Sequence, residues 1–148
     1  MEGKNNQDIF NEAMARILGH LWFSHPVPFN FDQEGMLKAF PDLSQEEVKI
    51  YGHTVEWLHQ EGFLHRDHQE LHLGRISGKV YGRATLTLTG MTLLGQTLPS
   101  VGPENGQDKR SFGQVILDLL KDGAKDTAST LVREVFLGLG KAALGMPQ

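Results

Sequence analysis

The chain has 148 residues, no cysteine and a net charge of -4, and these values limit its architecture. The length suits one domain with a core, or a smaller domain with an appended segment, and the lack of cysteine excludes disulfides and thiolate metal sites. Residues 1–70 carry five basic and 12 acidic side chains, whereas residues 71–148 carry nine and six. Only the second part therefore has the basic balance that favours nucleic-acid binding.

The first predicted helix covers residues 8–22. Phe10, Met14, Ile17 and Leu21 recur there at helical spacing and form one apolar stripe. Such a stripe is typical of an amphipathic helix that packs on a core.

Two more helices are predicted before residue 62. Residues 32–40 are long enough for two helical turns, and Pro41 ends them because proline cannot donate a backbone hydrogen bond. The third helix begins at Ser44, since Ser44 and Glu47 have the spacing of a capping box, in which each side chain accepts the other's amide. It ends near Gly62, which suits a left-handed C-terminal cap.

A hairpin and a fourth helix are predicted next. Residues 71–76 and 80–88 are rich in β-branched and aliphatic side chains, and Ser77-Gly78 between them suits a turn. Thr89 is the predicted N-cap of a short helix that reaches Leu98. The order of helix, helix, helix, strand, strand and helix predicts an α+β fold that is mainly helical.

This order resembles the winged helix-turn-helix superfamily, in particular small bacterial and prophage-type regulators. The resemblance covers residues 8–98 and rests on Leu-His-Gln-Glu-Gly-Phe-Leu at residues 58–64, the predicted hairpin or wing, and Leu88-Thr89. It implies a winged-helix domain that binds DNA through its third helix and its wing.

The remaining chain is predicted to form a linker and one long helix. Residues 99–110 contain two prolines and two glycines, which is typical of a flexible linker. Residues 111–144 then carry a continuous apolar stripe, with a break near Gly138 as the alternative. We expect this C-terminal helix to join copies of the chain into a homo-oligomer. The predicted oligomerisation residues share one side of the helix: Leu120, Ala124, Ala128, Leu131 and Val135.

The candidate nucleic-acid-binding residues are basic side chains of the predicted wing and third helix. Arg75, Lys79 and Arg83 surround the wing turn, and Lys49 lies on the third helix. Cations at these places suit contacts to phosphate. The alternative interpretation is an ordinary solvated hairpin whose charges prevent pairing at its edge.

The third helix also carries candidate protein-binding residues. Ile50, His53 and Trp57 lie away from its predicted core stripe, among three carboxylates that would repel DNA phosphates. Two interpretations remain open at this point. The chain's own C-terminal helix covers the apolar pair, or the pair binds a protein partner.

No catalytic, metal or cofactor site is predicted. The sequence offers no activated nucleophile and no cofactor-binding loop, so we expect a protein that is not an enzyme. His59, His65, His68 and His72 form the densest histidine cluster. A solvated loop explains them better than a metal site, because in an extended segment His68 and His72 could share a face but His65 would not.

The leading hypothesis is therefore a non-enzymatic winged-helix regulator of transcription from a bacterium or phage, which binds DNA through its wing. The rival is a protein-interaction module, an inhibitor or adaptor, that uses the acidic third helix. No stretch approaches the ~20 apolar residues that span a bilayer, so we expect a cytoplasmic protein with no membrane contact.

Overall fold

The computed structural model describes residues 5–66, 83–97 and 110–143, in which it places six helices and three short strands. The predicted class, α+β and mainly helical, is confirmed. In chain order the elements are α1 (Asn6–Ser24), β1 (Phe29–Asn30), α2 (Gln33–Ala39), α3 (Gln45–Gln60), β2 (Leu64–Arg66), β3 (Arg83–Leu86), α4 (Leu88–Gly95), α5 (Phe112–Lys121) and α6 (Lys125–Ala143).

The predicted ends of α3 are confirmed. The Ser44 amide donates to the Glu47 carboxylate at 2.8 Å, and the Glu47 amide donates to the Ser44 hydroxyl at 3.2 Å. Gly62 adopts a φ of +90°, the left-handed conformation that releases the chain from the helix. The first two helices also lie where they were predicted, and Asn5 and Asp32 cap them.

The three strands form an antiparallel sheet in the order β1-β3-β2. Phe29 pairs with Ala84 on one side of β3, and Leu64 pairs with Leu86 on the other. The sequence analysis missed β1, and it did not predict β2, which starts two residues after Gly62. The strand predicted over residues 71–76 lies outside the described residues.

The predicted start of α4 is wrong by two residues. Thr87 is the N-cap, because its hydroxyl accepts the Gly90 amide at 3.0 Å. The same hydroxyl donates to the Gly62 carbonyl oxygen at 2.7 Å, which ties this cap to the end of α3. The strand predicted to run to residue 88 therefore ends at Leu86, and Thr89 lies inside the helix. Leu98 is outside the described residues.

The single C-terminal helix predicted over residues 111–144 is also wrong. It is two helices, α5 and α6, separated by a turn in which Gly123 has a φ of +78°. α6 continues without a break through Gly138, the alternative position. Both helices pack on α1, because the turn lets each direct its apolar side towards that helix. Of the predicted linker, only Arg110 is described.

α1 is the central helix of the fold and packs against α3, α5 and α6. Small side chains on several of its faces allow this close packing. A Cβ atom at Gly19 would lie 3.1 Å from the Ile116 side chain. The side chain of Ile116 on α5 therefore packs directly against the backbone of α1. Ala13 and Ala15 are fully buried in the same helix. One hydrophobic core therefore includes residues from both ends of the described chain.

Charged groups cross this core in a set of contacts that we call the Glu12 network. Glu12 of α1 is only 3% exposed, and its carboxylate accepts the Tyr51 hydroxyl at 2.5 Å. Arg16 donates to both oxygens of Asp42, at 2.8 and 3.2 Å, and to the Tyr51 hydroxyl. The Lys125 ammonium lies 3.6 Å from Glu12 and 3.7 Å from Asp42. The network thus joins α1, α3, α6 and the segment before α3.

The network also shifts the pKa values of Tyr51 and Asp42. Burial, with the hydrogen bond to Glu12, raises the pKa of the Tyr51 hydroxyl well above its usual range. Hydrogen bonds from Arg16 hold the pKa of the Asp42 carboxyl below its ordinary value of 3.8.

Substitution of Gly113 tests the packing of α5 on α1. A Cβ atom there would lie 2.5 Å from the Trp22 indole, so we expect Gly113→Ala to lower the free energy of unfolding by about 1–3 kcal/mol. Gly138 is the matched control, because no atom of residues 5–66, 83–97 and 110–143 lies within 4 Å of its Cβ position. Gly138→Ala should raise the free energy of unfolding by about 0.5–1 kcal/mol. Urea unfolding followed by circular dichroism measures both, and equal effects would contradict this packing.

Asp42→Asn should change the acid sensitivity of the fold. Because the pKa of Asp42 is lower in the folded chain, its carboxylate stabilises the fold above pH 3.8, and this contribution is lost as the pH falls further. The difference in unfolding free energy between wild type and Asp42→Asn should therefore be constant near neutral pH and shrink below about pH 4. Urea unfolding at a series of pH values measures it. Asp122→Asn, at an exposed turn, is the control, and a similar trend there would refute the role of Asp42.

Candidate functional site

The outward side of α3 carries a polar stripe, which we call the α3 stripe. Tyr51, on the opposite side of the helix, points into the core, so residues about half a turn away face solvent. Lys49 and His53 are exposed at the centre of the stripe. Its five members are Glu46, Lys49, His53, Glu56 and Gln60.

Ile50 and Trp57 do not belong to the α3 stripe, which corrects their predicted direction. The Trp57 ring meets Phe10 of α1 edge to face, with centroids 5.2 Å apart, and lies 6.2 Å from the Phe136 ring of α6. Ile50 is half-buried against the core. The chain's own helices therefore flank both residues, because α3 packs against α1 on that side and α6 reaches its end.

The three predicted protein-binding residues nevertheless share one place. Ile50, His53 and Trp57 line a shallow groove of about 350 Å³ between α1 and α3. Ile50 and Trp57 form its apolar side, whereas His53 stands at the exposed edge. Phe10 of α1 also lines the groove and contacts the Trp57 ring.

An ion pair between β2 and α3 was missed by the sequence analysis. The Arg66 guanidinium contacts the Glu56 carboxylate, and Glu56 also accepts the Gln60 amide at 3.2 Å. Arg66 lies on the same side of β2 as the buried Leu64, which directs it towards α3. A carboxylate that was expected to repel DNA is therefore paired with a cation. The only hint of this pair in the sequence was that Arg66 closely follows Gly62, at the end of α3.

The outward face of the sheet is polar. His65 pairs with Thr85, and these two residues lie on the opposite face from the buried Leu64 and Leu86. Arg83 is exposed on the same face of β3 as Thr85, two residues along. Of the predicted wing cations only Arg83 is described, because Arg75 and Lys79 lie outside the described residues.

The described histidines do not converge. His59 Nδ1 lies 3.1 Å from the Leu64 carbonyl oxygen, where it joins the end of α3 to β2, whereas His65 is exposed on the sheet. His68 and His72 are outside the described residues. Within the described ranges, no group of three metal-ligating side chains comes together.

The predicted oligomerisation residues serve largely inside the chain. Ala128 is fully buried, and Leu120, Leu131 and Val135 pack against the same core. Ala124 is half-buried in the turn before α6, where its carbonyl oxygen accepts the Ala128 amide at 3.0 Å. Self-association through this set stays a prediction, while its members already stabilise the contact of α5 and α6 with α1.

A polar groove of about 490 Å³ lies between the first turns of α1 and the first half of α6. Glu12 lines it, but this carboxylate is engaged by Tyr51 and Lys125. The Ser129 hydroxyl on its wall donates to the Lys125 carbonyl oxygen at 2.8 Å. Glu12 therefore serves in the contacts between helices, and Ser129 serves within α6.

No protein family, curated protein or solved structure matches this chain. In the described part of the chain, no helix has the length and hydrophobicity needed to cross a membrane. The geometry of the α3 stripe and of the sheet therefore supplies the basis for a functional assignment.

Proposed function

We propose that this protein is a non-enzymatic regulator that binds DNA through a winged-helix domain. The order of its elements supports this proposal, because a short strand lies between the first two helices and a pair of strands follows the third. The sheet order β1-β3-β2 places the early strand beside the last one. Both features are typical of winged-helix domains, whose third helix enters the major groove.

The observation that carries the proposal is the Glu56–Arg66 ion pair. With Glu56 neutralised, the hydrogen-bond donors of the α3 stripe are Lys49 and His53 at its centre and Gln60 at its end. These groups donate hydrogen bonds to phosphates and to base edges. Of the apolar pair that argued against DNA binding, Trp57 contacts α1 and α6, and Ile50 lies half-buried beside α1.

The sheet offers a second set of contacts. Arg83 and His65 are exposed on strands β3 and β2, which flank residues 67–82 in the sequence. Arg75 and Lys79 belong to that segment, which is the proposed wing, and are proposed to bind phosphate. The net charge of -4 opposes DNA over the rest of the surface, so we expect weak, salt-sensitive binding to random sequence.

The second candidate is a protein-interaction module. The groove lined by Ile50, His53 and Trp57 favours it, since an apolar side chain of a partner fits between α1 and α3. The partner would be a protein that this chain inhibits or recruits. Ile50→Glu would impair such binding. The same substitution would leave the central side chains of the α3 stripe in place.

The first test is loss of charge at the proposed interface. Lys49→Ala and Arg83→Ala should each weaken binding to a random duplex several-fold, because each removes a contact to phosphate. Each should also reduce the slope of log affinity against log salt by about 0.9. Fluorescence anisotropy with a labelled duplex at about 50 mM salt measures both quantities.

Lys121→Ala is the matched control, since it removes the same charge from the exposed end of α5. It should leave binding within about twofold of wild type. Absence of wild-type binding at protein concentrations up to about 100 μM would refute the DNA proposal, because non-specific binders typically bind below this concentration.

The second test concerns the carboxylate within the stripe. Glu56→Gln should strengthen duplex binding about threefold to tenfold, because it removes a negative charge beside the proposed phosphate path and leaves Arg66 in excess. Glu134→Gln is the control, since Glu134 also lies beside an arginine, Arg133, but on α6. Equal gains in the two variants would mean that only net charge matters and would contradict this location for the interface.

A further inference from the structure

We infer that the protein pairs with a second copy of itself through a groove formed by α1, the end of α3 and the C-terminal part of α6. We call it the α6 groove. Its volume is about 380 Å³, and Trp57, Phe136, Leu137 and Leu139 are among its apolar walls. This surface is separate from the α3 stripe and from the predicted oligomerisation residues, and the inference does not depend on DNA binding.

The α6 groove has an aromatic floor, and exposed leucines stand beside it. Phe136 packs against Trp57 and against Phe63, with ring centroids 6.2 and 5.3 Å apart, so the floor is set by contacts within the chain. Leu137 and Leu139 remain 51% and 40% exposed. Exposed apolar side chains beside an apolar concavity mark a protein contact. A two-fold axis would insert the leucines of each copy against the aromatic floor of the other.

The charges of the groove indicate what kind of protein occupies it. Glu61, at the end of α3, and Arg133, on α6, both line it. In a two-fold contact, residue i of one copy meets residue j of the other and the reverse, so opposite charges within one patch complement each other. Arg133 is exposed and lies 3.5 Å from the exposed Glu134, a surface pair that exchanges partners at little cost. The groove therefore carries both of the charges that a two-fold contact would pair.

The backbone of α6 also permits a close approach. Gly140 lines the groove, and no atom of the described residues lies within 4 Å of its Cβ position. Packing within the described part of the chain therefore does not require a glycine there. The missing side chain leaves room for the leucines of a second copy.

The oligomeric state of the full chain, without DNA, tests the inference. Light scattering after size exclusion should show a dimer that dissociates on dilution. Leu137→Asp and Leu139→Asp should each raise the dimer dissociation constant at least about tenfold, because each places a charge in an apolar contact. Leu88→Asp is the matched control and should leave dimerisation unchanged, since Leu88 is 82% exposed on α4, outside the groove. Far-UV circular dichroism confirms that each variant is folded.

Charge exchange tests the two-fold arrangement and remains decisive where an aspartate variant fails to fold. Glu61→Arg and Arg133→Glu should each weaken the dimer, and the variant carrying both changes should recover it to within about threefold of wild type. A wild-type chain that is monomeric at about 100 μM overturns the inference. Equal weakening by Leu88→Asp, or no recovery in the double variant, also overturns it.

Discussion

A buried carboxylate on the central helix constrains the arrangement of the helices around it. Glu12 is almost completely covered, and an unpaired charge in such a place would cost several kcal/mol. It is compensated by Tyr51 from α3, Arg16 from its own helix and Lys125 from α6. Because Tyr51 and Lys125 come from different elements, a shift of α3 or α6 along α1 would break a contact to Glu12. The network therefore favours one register of the three helices.

The position of the candidate site follows from this constraint. The Tyr51 hydroxyl can reach Glu12 only if that side of α3 faces α1, and the side half a turn away then faces solvent. Lys49 and His53 consequently lie in the centre of the exposed stripe, whereas Trp57 is turned towards Phe10 and Phe136. The contacts that hold α1 and α3 together thus decide which residues of α3 are available to another molecule.

Features set by interactions close in sequence could be predicted. The capping box of Ser44 and Glu47 spans four residues, and the positive φ of Gly62 depends on the local turn, so the limits of α3 were visible in the sequence. The sheet was harder to predict, because strands of two to four residues are too short to show a clear alternation. β2 was missed for this reason.

Features that depend on distant contacts could not be predicted in the same way. The apolar pattern continues across the turn at Gly123, so periodicity alone predicted one helix in place of α5 and α6. The inward direction of Trp57 depends on Phe136, 79 positions later in the sequence. One signal was present but unused, since Ala13, Ala15 and Gly19 lie off the first apolar stripe and are typical of a helix packed on more than one side.

The two ion-pair systems of the chain have different consequences. The Glu12 network centres on a buried carboxylate and joins three helices, whereas Glu56 and Arg66 form a partly buried pair between one helix and a strand. In the proposed DNA-binding role, Glu56 limits non-specific attraction to phosphate, and Lys49, His53 and Gln60 then contribute a larger share of the binding energy. A stripe of this kind would favour discrimination between sequences over strong binding to any duplex.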